Sequence, residues 1–360
     1  MTTQIQELWA FQKEALHKAI RKQGVQSALG IFEENLFFDK KHRPVPAARP
    51  LAPVADTHGH LASYKKTTAA VALTRAALAG VHMLVVPLDP VDEIPRKFVT
   101  VAACNTWIDE QIEEAHILLD LCMQEGLSIP EIPGYEDATQ LLDSIYVVAG
   151  AHPYSAQAYV DAPKQARAKL EEFLDSPRCV GIGEIGIDFG PYNELSAQVQ
   201  KQILINQLHI AQDRELCVEL HVRDAPEPNN AAAHELVLEA LRETGIPKQG
   251  LELHCYTDGP QVLQPFIDQG VYVAFGGACT FKRSDDIREA LAITPLNLIL
   301  SETDSPYMAP VPLRGQECET AMIMHTVDSI AQVKEDTGLV TRKQTYQALW
   351  DNACKFFVRA

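Results

Sequence analysis

Short β-rich runs alternate with longer helical patterns along most of this 360-residue chain, and this alternation limits the folds open to it. Predicted helices, such as residues 163–175 and 195–214, lie between predicted strands, an order that favours a parallel sheet. Eight such units are what a closed barrel requires, whereas a doubly wound open sheet usually has about five or six strands. We therefore predict a (β/α)8 TIM barrel, with strands at residues 54–57, 81–87, 145–150, 179–183, 216–220, 250–253, 271–275 and 297–301.

Two segments fall outside this repeat. Residues 1–52 carry an amphipathic helix pattern over residues 3–22, followed by a proline-rich connector. Residues 53–360 form the predicted barrel domain, which an insertion of about residues 90–144 interrupts after the second strand. Without that insertion the barrel has close to the roughly 250 residues typical of the fold. We expect residues 1–52 to form a helical extension and the insertion to decorate one rim of the barrel.

The charge balance and the apolar pattern restrict partners and compartment. The chain has 31 basic and 48 acidic side chains, so bulk electrostatics disfavour a general affinity for nucleic acid, and a phosphate-rich substrate has to be held locally. The longest uncharged apolar run, residues 76–88, is too short to span a bilayer. The N-terminus lacks the continuous apolar stretch of a secretory signal, and the eight cysteines are scattered as expected for reduced thiols. We expect a cytoplasmic protein without a membrane partner.

Side chains that commonly bind metals follow the predicted strands. In a barrel of parallel strands, all the carboxyl ends meet on one face, where active sites lie. We therefore expect these residues to share one pocket: His58 and His60 after the first strand, His152 after the third, Glu184 after the fourth, His221 after the fifth, His254 after the sixth and Asp304 after the eighth.

His58 and His60 are two residues apart at the end of a strand. Since strand side chains alternate between faces, both imidazoles point the same way, into the barrel. That geometry is typical of metal ligands. Taken on their own, however, two histidines with this spacing are as compatible with two polar residues in a turn. The residues at the other strand ends favour metal binding.

Glu184 ends an apolar strand, where a buried carboxylate needs a positive partner. A divalent cation would supply it, and one carboxylate can bridge two cations; a salt bridge to Arg223 is the less favoured alternative. Alone, His221 or His254 would be typical of a structural histidine. Asp304 can bind a metal and accept a proton from water, or cap a helix before Pro306.

These residues stand in seven motifs with a fixed order. The set resembles the TatD-like metal-dependent DNases, a branch of the amidohydrolase superfamily, over about residues 54–357. The motifs are DTHGHL at 56–61, GAHP at 150–153, GEIGID at 183–188, HVRDA at 221–225, HCY at 254–256, TFK at 280–282 and ETDSPY at 302–307.

The resemblance implies two divalent metal ions bridged by Glu184. It places His58, His60, Glu184 and Asp304 around one ion, and Glu184, His221 and His254 around the other. It also implies that Asp304, Glu184 and His152 act in catalysis, and that Arg223, Lys282 and Arg314 bind substrate. Histidines suit zinc, whereas a carboxylate-bridged pair acting on phosphate suits magnesium or manganese, so the metal stays open.

Three functions are compatible with these residues. We favour a metal-dependent phosphodiesterase, a deoxyribonuclease that acts as an exonuclease on DNA ends or single strands, because an acidic surface disfavours wrapping a duplex. The same centre could instead hydrolyse a small amide, ester or lactone, but the cations Arg223, Lys282 and Arg314 favour phosphate. In the third alternative the barrel is a non-catalytic interaction scaffold, which would have no need for six metal ligands. The oligomeric state is left open.

Overall fold

The computed structural model describes residues 3–226 and 231–358. Eight parallel strands form one sheet in which each strand pairs with its neighbours in sequence. The strands are β1 (Val54–Asp56), β2 (Val81–Leu88), β3 (Ile145–Ala149), β4 (Cys179–Asp188), β5 (Cys217–Arg223), β6 (Leu251–Leu253), β7 (Tyr272–Phe275) and β8 (Ile299–Ser301).

The first and last strands lie side by side. The backbone N–H of Thr57 donates to the carbonyl of Ser301 at 3.0 Å, and the Ser301 hydroxyl donates to the carbonyl of Ala55 at 3.0 Å. A parallel bridge between Gly59 and Ser305 continues the contact past the strand ends. These bonds join the sheet into a barrel and confirm the predicted (β/α)8 fold.

Helices surround the barrel, and several begin at a Ser or Thr whose side chain accepts a backbone N–H, as at Thr68, Thr100 and Ser196. They are α1 (Gln4–Gln23), α2 (Val25–Ala28), α3 (Ala69–Ala79), α4 (Glu93–Arg96), α5 (Val101–Gln124), α6 (Ala156–Asp161), α7 (Pro163–Leu174), α8 (Ala197–Asp213), α9 (Ala232–Thr244), α10 (Pro260–Ile267), α11 (Asp285–Ile293), α12 (Ile323–Asp336) and α13 (Arg342–Phe357). Within the described ranges, no helix is both long and apolar enough to cross a membrane.

The extension and the insertion pack on each other. The ring of Trp9 in α1 stacks on Trp107 of α5, with centroids 4.7 Å apart, and Glu114 of α5 pairs with Lys13 at 3.0 Å. Helix α3 lies against α5, and every residue of α3 except Arg75 is buried. Helix α1 thus precedes β1, and α4 and α5 lie between β2 and β3. The division into an extension at residues 1–52 and a barrel domain at residues 53–360 with an insertion stays a prediction.

Two strands run five and three residues past their predicted ends. Strand β4 runs to Asp188 and β5 to Arg223, so Glu184 and His221 lie within strands and not after them. The extension depends on Gly186, whose φ is +152° and whose added Cβ would lie 1.9 Å from the carbonyl oxygen of His221. Only glycine allows the two strands to approach this closely beyond residue 183.

Candidate metal centre

One group of ligand atoms forms where β1 and β8 end. The Nε2 atoms of His58 and His60 are 3.2 Å apart. Oδ1 of Asp304 lies 3.7 Å from the first and 3.3 Å from the second. Oε2 of Glu184 lies 3.8 Å from each of them. Two imidazole nitrogens and two carboxylate oxygens therefore converge on one point at the mouth of the barrel.

A second group forms around the other oxygen of Glu184. Its Oε1 lies 3.1 Å from Nε2 of His254, 3.3 Å from Nδ1 of His221 and 3.8 Å from Nε2 of His152. The ion pairs of Glu184 in the described part of the chain are all with histidines. The alternative of a salt bridge from Glu184 to Arg223 does not appear among them.

Electrostatics keep the two central carboxyl groups ionised. Burial opposes the charge on Glu184, but the surrounding histidines, His58 and His152 first, outweigh burial and hold the pKa of Glu184 well below its ordinary value. The pKa of Asp304 is lowered in the same way, since His60 outweighs the burial of the carboxyl group. Burial also opposes a charge on His58, yet Glu219 and Glu184 raise the pKa of His58 to about 9.

This donor set fits divalent cations. Imidazole nitrogens and carboxylate oxygens are the ligands that zinc and manganese accept, and carboxylates suit magnesium. Three ligand atoms of His58, His60 and Glu184 lie within 4.8 Å of one another, and so do those of His152, Glu184 and His221. Glu184 belongs to both groups and has one oxygen in each.

His152 differs from the other histidines in what lies behind its ring. Nδ1 of His152 accepts the backbone N–H of Tyr154 at 3.1 Å. Burial, followed by the charge of His221, lowers the pKa of His152 to about 3, so the ring is neutral at pH 7. A neutral imidazole whose Nδ1 accepts must carry its proton on Nε2. His152 therefore presents a hydrogen-bond donor to the pocket.

Asp89 fixes the turn that carries His152, and no sequence signal pointed to this role. Its carboxylate accepts the backbone N–H of His152 at 2.9 Å and the hydroxyl of Ser155, while the other oxygen accepts the N–H of Val91 at 2.9 Å. Burial raises the pKa of Asp89 to about 7, against the effect of these hydrogen bonds. Asp89, which follows β2, thus fixes the loop after β3 through its hydrogen bonds with His152 and Ser155.

Three further carboxylates lie behind the histidine rings. Asp188 contacts Nε2 of His221 at 2.9 Å, Glu219 contacts Nδ1 of His58 at 3.0 Å and Glu302 contacts Nδ1 of His254 at 3.5 Å. Sequence reasoning missed all three. A usable signal was present, because Glu219 and Glu302 each stand two residues before a candidate ligand, His221 and Asp304.

The predicted substrate-binding cations are exposed. Arg223 ends β5, and Lys282 follows the turn Gly277–Thr280 after β7. The guanidinium of Arg314 lies over the ring of Phe281, 4.1 Å from its centroid, so the loops that carry Arg314 and Lys282 are neighbours. No contact among the described residues ties Lys282 or Arg314 to the metal-ligand side chains.

Two tyrosines that sequence reasoning missed lie beside the ligand groups. The ring of Tyr154 meets the edge of His152, with centroids 4.5 Å apart, and the ring of Tyr307 meets His60 at 5.9 Å. Their side chains are 47% and 57% exposed, which leaves flat aromatic surface open to a ligand. Exposed rings of this kind can stack on bases of a single strand.

A sequence model of one protein family, described as TatD related DNase, matches residues 55–358. The uncharacterized metal-dependent hydrolase YabD of Bacillus subtilis (strain 168) is 29% identical over 234 residues, which cover 65% of this chain and 87% of YabD. The 3'-5' ssDNA/RNA exonuclease TatD of Escherichia coli (strain K12) is 29% identical over 211 residues, which cover 57% of this chain and 76% of that protein.

A solved structure has the same architecture. The crystal structure of YJJV, a TatD homolog from Escherichia coli K12, superposes with a TM-score of 0.56 at 21% identity, and the match covers 85% of this chain and 98% of that one. This likeness bears on the fold and agrees with the eight-stranded barrel.

Proposed function

This chain belongs to the TatD-related DNase family of metal-dependent hydrolases, and from that premise we propose that it cleaves phosphodiester bonds in DNA as an exonuclease that uses two divalent metal ions. The observation that carries the proposal is the position of Glu184, whose two oxygens face two separate groups of histidines. The exonuclease activity named for the Escherichia coli relative supports a strand end or a single strand as the substrate.

The chain's own side chains divide into two sets of ligands. His58, His60, Asp304 and Oε2 of Glu184 would hold one cation, and His221 and His254 with Oε1 of Glu184 would hold the other. Divalent cations bound there would neutralise the charge of a phosphodiester and make a water molecule more acidic. Magnesium, manganese and zinc all accept this set of nitrogen and oxygen ligands.

Asp304 and His152 have different tasks in this proposal. The Asp304 carboxylate, which the histidines keep ionised, accepts a proton from the attacking water. Nε2–H of His152 donates a hydrogen bond to a phosphate oxygen on the other side of Glu184. A donor fixed in place before the reaction stabilises charge that develops on that oxygen.

The exposed cations support phosphate over a neutral substrate. Arg223, Lys282 and Arg314 lie on loops or strand ends at the face where all eight strands end, and each can contact a phosphate of a bound strand. The acidic net charge of the chain restricts such contacts to a few residues, so a short single strand is favoured over a duplex.

The test is hydrolysis by the metal-loaded chain of four substrates: single-stranded DNA, duplex DNA, a generic phosphodiester and a lactone. We expect the fastest turnover on single-stranded DNA, shortening of strands one nucleotide at a time, and loss of turnover in Asp304→Asn. Lactone turnover far above that of every oligonucleotide would refute the nuclease proposal.

A further inference from the structure

A layer of buried carboxylates lies beneath the candidate metal ligands. Glu219, Glu252 and Glu302 are each fully buried, and each stands two residues before a candidate ligand, namely His221, His254 and Asp304. Because side chains alternate along a strand, a residue two positions earlier points to the same side and lies one layer deeper in the barrel. The chain therefore places three acids directly under its ligands.

Two of these acids meet a histidine of another strand. Oε1 of Glu219 lies 3.0 Å from Nδ1 of His58, and Oε2 of Glu302 lies 3.5 Å from Nδ1 of His254. None of these four buried atoms has a hydrogen-bond partner of ordinary geometry among the described residues, so the two contacts are ion-pair contacts. Among the described residues, the facing carboxylate is the charged group nearest to each of these nitrogens.

Because these groups are buried, losing either contact would cost free energy. A buried carboxylate without a partner is strongly unfavourable, and so is a buried ring nitrogen. A neutral imidazole has one N–H and one lone pair. If the carboxylate accepts the proton of Nδ1, the lone pair stays on Nε2, and Nε2 is the atom of His58 and of His254 that faces Glu184.

In His221 and His152 too, the partner of one ring nitrogen decides whether the other nitrogen carries the proton, but the partners differ. Asp188 lies behind Nε2 of His221, which leaves Nδ1 to face Glu184 at 3.3 Å. The backbone N–H of Tyr154 lies behind Nδ1 of His152, which leaves a proton on Nε2. The group behind each ring therefore decides what the ring presents to the pocket. His58, His254 and His221 present a lone pair, whereas His152 presents a proton.

We propose that Glu219 and Glu302 are positioning residues that hold His58 and His254 in the Nδ1–H tautomer and thereby set the affinity of the centre for divalent cations. The inference rests on the proposed two-metal site and adds two residues to it that would not touch metal or substrate. Outer carboxylates of this kind typically change metal affinity by about 10–100-fold when they are removed.

Glu252 provides a matched control. It lies in the same layer, is equally buried and occupies the same position in the repeated Glu-Leu-His motif. Unlike Glu219 and Glu302, it makes no ion pair with a histidine within the described ranges. Its substitution removes no acceptor from a ring, although it also removes a carboxyl group that interacts with Glu219.

The experiment uses the full chain and compares Leu and Gln at residues 219, 252 and 302. Metal dissociation constants are measured with Zn²⁺ and Mn²⁺ by competition with a fluorescent chelator, and histidine tautomers of the metal-free chain are read from ¹⁵N NMR at a pH above the pKa of both rings, where each imidazole is neutral. We expect Glu219→Leu and Glu302→Leu to weaken metal binding about 10–100-fold and to shift the proton of the facing ring. Gln keeps a carbonyl acceptor, so Glu219→Gln and Glu302→Gln should retain most of the affinity.

Equal losses in Leu and Gln variants at all three positions would overturn the proposal, because they would indicate a packing effect. Wild-type affinity or an unchanged tautomer in Glu219→Leu and Glu302→Leu would also overturn it. Should a Leu variant fail to fold, the Gln variant and the tautomer of the parent chain still decide. A parent chain that binds no metal would refute the proposed function, whereas its tautomers would separately test the positioning role.

Discussion

Oε1 of Glu184 lies 3.1 Å from Nε2 of His254, and the other oxygen of the same carboxylate faces the two histidines that follow β1. A single side chain therefore touches both groups of candidate ligands. Because of this relationship, a change at Glu184 should affect the whole centre. The other predictions concern residues that contact only part of the centre or lie outside it.

Glu184→Gln should reduce the content of both metals, because a neutral amide cannot balance the charge of two cations that share it. The measurement is metal per chain by mass spectrometry after equilibrium dialysis. The exposed Glu194→Gln serves as the control and should keep full occupancy. Loss of one ion only, with normal activity, would contradict the bridging role.

His58→Ala and His60→Ala should each lower the metal content and leave the fold intact, since ligands at the mouth of a barrel lie above its packed core. Metal analysis gives the first quantity, and circular dichroism with thermal unfolding gives the second. His209→Ala, a change at an exposed histidine on α8, should alter neither. Unchanged stoichiometry in both ligand variants would remove these residues from the site.

Arg223→Ala and Lys282→Ala should weaken the binding of single-stranded DNA without emptying the metal site. Each lost phosphate contact should lower the slope of log affinity against log salt by about 0.7. Lys248 precedes β6 at the opposite end of the barrel, so Lys248→Ala should leave the slope unchanged. A salt-independent substrate, unaffected by Lys282→Ala, would indicate a neutral amide or lactone.

Asp89 should make stability depend on pH. Burial raises the pKa of its carboxyl group from the ordinary 3.8 to about 7 in the folded chain. Between these two values the folded chain holds a proton that the unfolded chain has released, so the free energy of unfolding falls as pH rises from about 4 to 7. Asp89→Asn cannot titrate and should lose less stability over this range in urea unfolding. An identical pH dependence in both proteins would contradict the assignment.

Arg75→Leu should destabilise the contact between the N-terminal extension and the barrel. Arg75 pairs with Glu319 at 2.6 Å and donates from Nε to the carbonyl of Leu29 at 3.1 Å. Removing the half-buried Arg75 leaves the buried carboxyl group of Glu319 without its partner, at a cost of about 1–3 kcal/mol. Urea unfolding measures this loss, and the exposed Arg96→Leu is the control. Unaltered stability would mean that Arg75 does not anchor the extension.

Several features of the site were predictable from local sequence because they depend on local rules. The alternation of strands and helices gave the barrel, and the placement of His58, His60, His254 and Asp304 at strand ends brought them to one face. The limits of β4 were not predictable in this way. Its continuation through Glu184 depends on the close approach of Gly186 to His221 on another strand.

The sequence by itself determined which residues end strands and to which side of the sheet they point, because side-chain alternation acts over two residues. Tertiary structure alone decided which side chains meet: Glu219 with His58, Asp89 with the backbone of His152, and Trp9 with Trp107. These pairs join residues far apart in the chain, and their distances depend on how all eight strands tilt and close. No local pattern contains that closure, so which histidine each carboxylate faces became visible only in the folded barrel.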